Sequence, residues 1–129
     1  MKNLVALLAL AVSALPTPAA SPLDSLKPGT VELKSAGPIA FGPDGILFVA
    51  DPQAAAMYAI ATGDTKATEA SAVNVADLGA KLATKLDTPA GSVQIIDLAV
   101  NPISHTAYLS VARGKGTDAL PLIFKLDAK

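Results

Sequence analysis

The sequence predicts an all-β chain with one short helix, and three observations predict it. Short apolar runs recur between turn signals, the pattern of runs returns about sixty residues later, and only one stretch carries helical spacing. The first copy is GPIAFGPDGILFVADPQAAAMYAI, Gly37 to Ile60, and the second is DLAVNPISHTAYLSVARGKGTDALPLIFKLD, Asp97 to Asp127.

The chain opens with Lys2, a nearly unbroken apolar run from Leu4 to Leu15, and then small residues and prolines. That is the plan of a secretory signal peptide. The run is too short to cross a bilayer core, which takes roughly 20 helical residues. Thr17 and Ala19 are small where signal peptidase reads, so cleavage is expected after Ala19, leaving 110 of the 129 residues. The expected division is a signal peptide over 1–19, a linker over 20–29 and one domain over 30–129, delivered to the periplasm or exterior. Without Lys2 the chain holds 9 basic and 11 acidic residues, a balance that offers no footprint for nucleic acid or anionic lipid. The absence of cysteine excludes disulfides, thiolate metal sites, covalent haem attachment and a lipidated N-terminal Cys.

Within the domain, Val31 to Lys34 alternates apolar and charged residues, as an outer or edge strand does. Ile39-Ala40-Phe41 then answers Leu98-Ala99-Val100 at an offset of 59, and Phe48-Val49-Ala50 answers Tyr108-Leu109-Ser110 at 60. Met57 to Ile60 answers Ile123 to Leu126 at 66. Each copy is therefore strand, tight turn, strand, longer loop, strand, with the insertions in loops. The turns have matching chemistry: Pro43, Asp44 and Gly45 in one, Asn101-Pro102 opening the other. Ile46 to Val49 has no polar alternation and predicts a strand buried on both faces. Thr68 to Val75 is a weaker candidate for a fourth strand. Asp77 is placed to cap a helix whose Leu78, Leu82 and Leu86 form a stripe, with Lys81 spaced to pair with Asp77. Short antiparallel strands at a period near 60 predict two β-propeller-type blades. Blade one covers about 37–75, the helix about 77–86, and an incomplete blade two about 95–127.

The wording of the first copy resembles the first three strands of a blade from the NHL and gluconolactonase-like group of β-propellers. Their repeats often run apolar strand, Pro-Asp-Gly turn, then Tyr/Phe-Val-Ala-Asp. IIDLAVNPISHTAYLSV is similar to segments of poorly characterised secreted bacterial propeller proteins. The resemblance spans about Gly37 to Asp127 and implies the N-terminal part of a longer propeller, since such rings close with four to eight blades. Val31 to Lys34 would then complete a missing blade. Self-assembly of two-blade units and a compact sandwich are the competing arrangements.

Four residues are candidates for ligand binding: Asp51, Asp97, Arg113 and Lys115. Asp51 ends a strand at a loop-bearing end, where its carboxylate either meets a ligand or bonds loop amides. Asp97 flanks the strand expected to line the ring's channel. Gluconolactonase-like enzymes carry an Asn-Asp pair near this point, the Asn holding a divalent metal; here Ile96 stands in the Asn position and cannot coordinate. No metal or cofactor is expected of this segment, and Ca²⁺ only in a completed propeller, because Asp51 and Asp97 supply at most two of the six to eight oxygens it takes. Arg113 and Lys115 lie in RGKGTD, where Gly116 follows Lys115 in place of the Ser/Thr of a phosphate-binding loop, and which suits an exposed loop meeting an anion or a partner. His105, the one histidine, falls in the second turn with no elbow motif around any serine. The expected function is a secreted scaffold or binding surface without catalysis; the alternative is part of an extracytoplasmic lactonase-like or quinoprotein-like enzyme. Expected partners are the remaining blades or another copy of the chain, and a protein or small-molecule ligand. When the chain is expressed with its leader in a secreting bacterium, N-terminal sequencing of the exported product is expected to begin at Ala20.

Overall fold

The computed structural model describes residues 15–127, so the expected signal peptide lies outside them up to residue 14. Six strands form two three-stranded antiparallel sheets, each in chain order. Sheet 1 holds β1 (Ile39–Phe41), β2 (Ile46–Asp51) and β3 (Ala56–Ala61); sheet 2 holds β4 (Val93–Val100), β5 (Ala107–Arg113) and β6 (Leu120–Leu126). One helix, α1 (Leu78–Lys85), lies between them, so the architecture is all-β with a single helical insert.

The turn residues explain the hairpins. Asp44 and Gly45 sit at φ 56° and 72°, a region open to glycine and tolerated by Asp, which lets β1 reverse into β2 over the four residues 42–45. In sheet 2, Asn101 Oδ1 accepts from Ile103 N at 2.9 Å, and His105 N donates to the Asn101 carbonyl at 2.8 Å. The Asn-Pro start thus builds its own turn from a side-chain acceptor.

The strand pairing reproduces the repeat residue for residue. Ile39 faces Val49, which faces Tyr58; Leu98 faces Leu109, which faces Phe124. These are the positions related by offsets of 59, 60 and 66. Because cross-strand partners point to one side of a sheet, each sheet has a front face and a back face in equivalent places. The front of sheet 1 carries Ile39, Phe41, Leu47, Val49 and Ile60. It packs on the back of sheet 2, which supplies Ala99, Tyr108 and Ile123. Phe41 and Tyr108 meet edge to face with ring centroids 5.0 Å apart. A second cluster forms on the front of sheet 2, where Leu82 of α1 lies over Leu109 and Val111. All five residues from Tyr108 to Ala112 are buried, so β5 is enclosed on both faces; in β2, Phe48 is half-buried.

Strands from different sheets come closest at β1 and β4. Asp97 makes that junction. A bulge in β4 between Ile95 and Asp97 re-aims the carboxylate, which accepts from Ile39 N at 2.9 Å through Oδ2 and from Leu98 N at 2.8 Å through Oδ1.

Three expectations need correcting. Val31 to Lys34 is not a strand: Lys34 gives its amide to the Asp51 carboxylate instead of a ladder, and Leu33 packs against the core. Thr68 to Val75 is not a strand either, being Ala-rich and tied at Thr68 to the second turn. Asp77 caps α1 by accepting from Ala80 N and forms no pair with Lys81, since the cap position already occupies its carboxylate.

Ser110, buried on the back of sheet 2, is the one buried hydroxyl among the described residues without a partner, and its equivalent in sheet 1 is Ala50. Urea unfolding is expected to show Leu109→Ala losing about 2–5 kcal/mol through the cavity it leaves. Ser110→Ala is expected to be neutral or stabilising by about 1 kcal/mol, because it removes an unsatisfied polar group.

Candidate functional site

The two candidate carboxylates both serve as acceptors for backbone amides. Asp51 closes β2 and is buried. Its Oδ2 accepts from Lys34 N at 2.6 Å; its Oδ1 accepts from Ser35 N at 3.0 Å, Ser35 Oγ at 2.7 Å and Ala54 N at 3.1 Å. Desolvation acts to raise its pKa, but these four donors outweigh it and hold the carboxyl below the ordinary Asp value. The side chain thereby anchors both the segment entering sheet 1 and the β2–β3 loop. Asp97 is half-buried at the β1–β4 junction, bonded to the two strand amides already described.

Arg113 ends β5, half-buried, and Lys115 is exposed in the loop that follows. Gly114 at φ 95° gives its amide to Ser92 O at 2.6 Å, which ties the base of this loop to the start of β4. Neither residue lies beside Asp51 or Asp97 in a common site: the loop carrying the cations joins β5 to β6, while Asp97 sits at the inner strand of the same sheet.

The richest polar cluster centres on Asp64, which sequence reasoning missed. It follows β3 in sheet 1, yet its partners belong to sheet 2. Asp64 Oδ2 accepts from Ser104 Oγ at 2.7 Å and from Tyr108 Oη at 3.0 Å; Lys125 Nζ stands 3.6 Å from Oδ1. Asn101 Nδ2 donates to the Asp64 carbonyl at 2.7 Å. Burial pushes the Asp64 pKa up, but the Ser104 and Tyr108 hydroxyls and the Lys125 charge pull harder, leaving it below the ordinary value. Tyr108 responds oppositely: burial first, and then its bond to Asp64, push the phenol up to about 12. Thr68 extends the latch, bonding the Ser104 carbonyl through its hydroxyl and placing its own carbonyl 2.6 Å from His105 Nδ1. Nothing local marks Asp64, because Gly63-Asp64-Thr65 has the wording of an ordinary loop and its partners, Asn101, Ser104, Tyr108 and Lys125, lie far along the chain.

Chemically, the cluster is a structural latch. The Ser104 hydroxyl faces Asp64 while the His105 ring faces the Thr68 carbonyl, so the neighbouring Ser and His do not form a nucleophile–base pair. Among the described residues no three His, Asp or Glu side chains are grouped to hold a metal ion, and no helix is long and apolar enough to cross a membrane. A groove of about 700 Å³ runs between α1, β6 and residues 72–75, with Leu82, Phe124 and Leu126 beside Lys81, Lys85 and Lys125. Comparison with protein-family models, curated proteins and solved structures returns no match for this chain.

Asp51 and Asp64 both have depressed folded-state pKa values, so the stability they contribute is present above their unfolded pKa, near 4, and is lost as pH falls through the lower folded values. Urea midpoints are expected to stay level from neutrality down to about pH 5 and to fall below about pH 4. Asp64→Asn is expected to lower the midpoint at neutral pH and to flatten part of the acid slope; an unchanged slope would show that Asp64 carries no linked proton.

Proposed function

We propose that the chain is a secreted or periplasmic β-propeller-type module that acts as a scaffold and binding surface, with no catalysis in this segment. The single observation that carries this reading is the head-to-tail stacking of two equivalent sheets. The front of one sheet packs on the back of the next, and the inner strands β1 and β4 approach most closely. Front-to-back packing of successive sheets with β1 nearest β4 fits the order of neighbouring propeller blades.

The roles of the acidic side chains favour a scaffold over the lactonase-like or quinoprotein-like alternative. Asp51 and Asp97 are engaged by backbone amides, and Ile96 is the extra, exposed residue of the bulge, with no coordinating group. What the fold offers to a partner is its loops. Residues 52–55 and 114–119 join the second and third strands of their sheets, so they emerge from the same edge of neighbouring sheets, the latter carrying Lys115.

Thermal melting with and without millimolar Ca²⁺ tests the choice. The scaffold reading expects an unchanged Tm. A rise that disappears in Asp51→Ala or Asp97→Ala would mean that these carboxylates bind metal, and would move the reading to the enzyme class.

A further inference from the structure

The internal packing between the two sheets has a donor face and an acceptor face, and the chain holds an unused example of each. On the front of sheet 2, Leu98 and Val100 are the equivalents of Ile39 and Phe41. Ile39 is 7% exposed and Phe41 is half-buried, whereas Leu98 is 51% and Val100 50% exposed. Ile95, on the same face, is also open to solvent. α1 covers Leu109 and Val111 through Leu82 but leaves this stripe of β4 uncovered.

The complement stands on the back of sheet 1. The three residues by which sheet 2 receives sheet 1 are Ala99, Tyr108 and Ile123. Their equivalents, at offsets of 59, 60 and 66, are Ala40, Phe48 and Met57, so a small, an aromatic and a large apolar residue recur in the same order. Ala40 is exposed, Phe48 half-buried and Met57 69% exposed. A surface of this kind on one chain, with its counterpart on the same chain's other sheet, defines a heterologous interface.

We propose that the β4 stripe of Ile95, Leu98 and Val100 docks on the Ala40, Phe48 and Met57 face of a second copy of this chain, continuing the internal stacking from molecule to molecule. The proposal rests on the stacked-sheet reading above and adds the partner and the faces. Leu98 would meet the partner's Ala40 and Phe48 as Ile39 meets Ala99 and Tyr108. The second copy is favoured over an unrelated protein because the required face, with matching residue types in matching register, is already exposed on this chain. Since α1 occupies part of the front of sheet 2, the contact is confined to the β4 side, and the association is weak and concentration-dependent.

Sedimentation velocity of the purified chain over a concentration series tests this. Reversible association is expected in the wild type, weakened about tenfold or more by Leu98→Lys and, separately, by Met57→Lys, because each buries an unpaired charge at the contact. Both sites are exposed in the single chain, and equal thermal melting of the dilute variants checks that folding is intact. The decisive arm mixes the two variants. Leu98→Lys keeps an intact Met57 face and Met57→Lys keeps an intact Leu98 face, so the mixture is expected to recover one heterodimer. A monomer at every concentration overturns the proposal, as does association that ignores both substitutions. Association sensitive to Leu98→Lys but indifferent to Met57→Lys also overturns it, by indicating a front-to-front dimer. None of these results bears on the metal-independent scaffold reading, which the Ca²⁺ melt decides.

Discussion

One carboxylate fixes how the two sheets meet. Asp97 accepts from Ile39 N and from Leu98 N, the same amide in each repeat, and so holds the inner strands at a set distance and register. The bond also covers an amide on the edge of β1 that would otherwise be an open pairing site. The β4 bulge stands immediately before the carboxylate, between Ile95 and Asp97. The corresponding position in sheet 1 is Pro38, which carries no side-chain acceptor, so this link belongs to the junction and not to the repeat itself.

The interface is then closed from a second place. Asp64 leaves sheet 1 on a loop and is gripped by Ser104, Tyr108 and Lys125 of sheet 2. Between Asp97 and Asp64 lies an apolar centre built from Ile39, Leu47, Val49 and Tyr108. Apolar burial supplies the attraction but tolerates sliding; the two carboxylates discriminate among registers, because a misplaced one would be left partly desolvated without donors. Tyr108 serves both purposes, its ring in the core and its hydroxyl on Asp64.

This division of labour explains why acidic residues that look available for chemistry are instead structural. Asp51 gathers amides from Lys34, Ser35 and Ala54, which keeps the entering segment and the β2–β3 loop in place. The loops at the sheet edges emerge from that frame. It also accounts for Lys115 standing exposed on a loop whose base is tied to Ser92 O.

The strands were legible because their signals are local. Apolar runs between Pro-Asp-Gly and Asn-Pro turns set β1, β2, β4 and β5, and the offsets of 59, 60 and 66 relate positions that occupy equivalent places in the two sheets. The capped helix was legible for the same reason, with Asp77 before a leucine stripe. Where local pattern met a long-range demand, pattern lost: Val31 to Lys34 alternates like a strand, yet Asp51 takes the Lys34 amide that a ladder would use. The roles of Asp97 and Asp64 belonged wholly to the tertiary structure. Their partners lie 58 and about forty residues away, and no spacing along the chain reports which amide or hydroxyl folding will bring to a carboxylate.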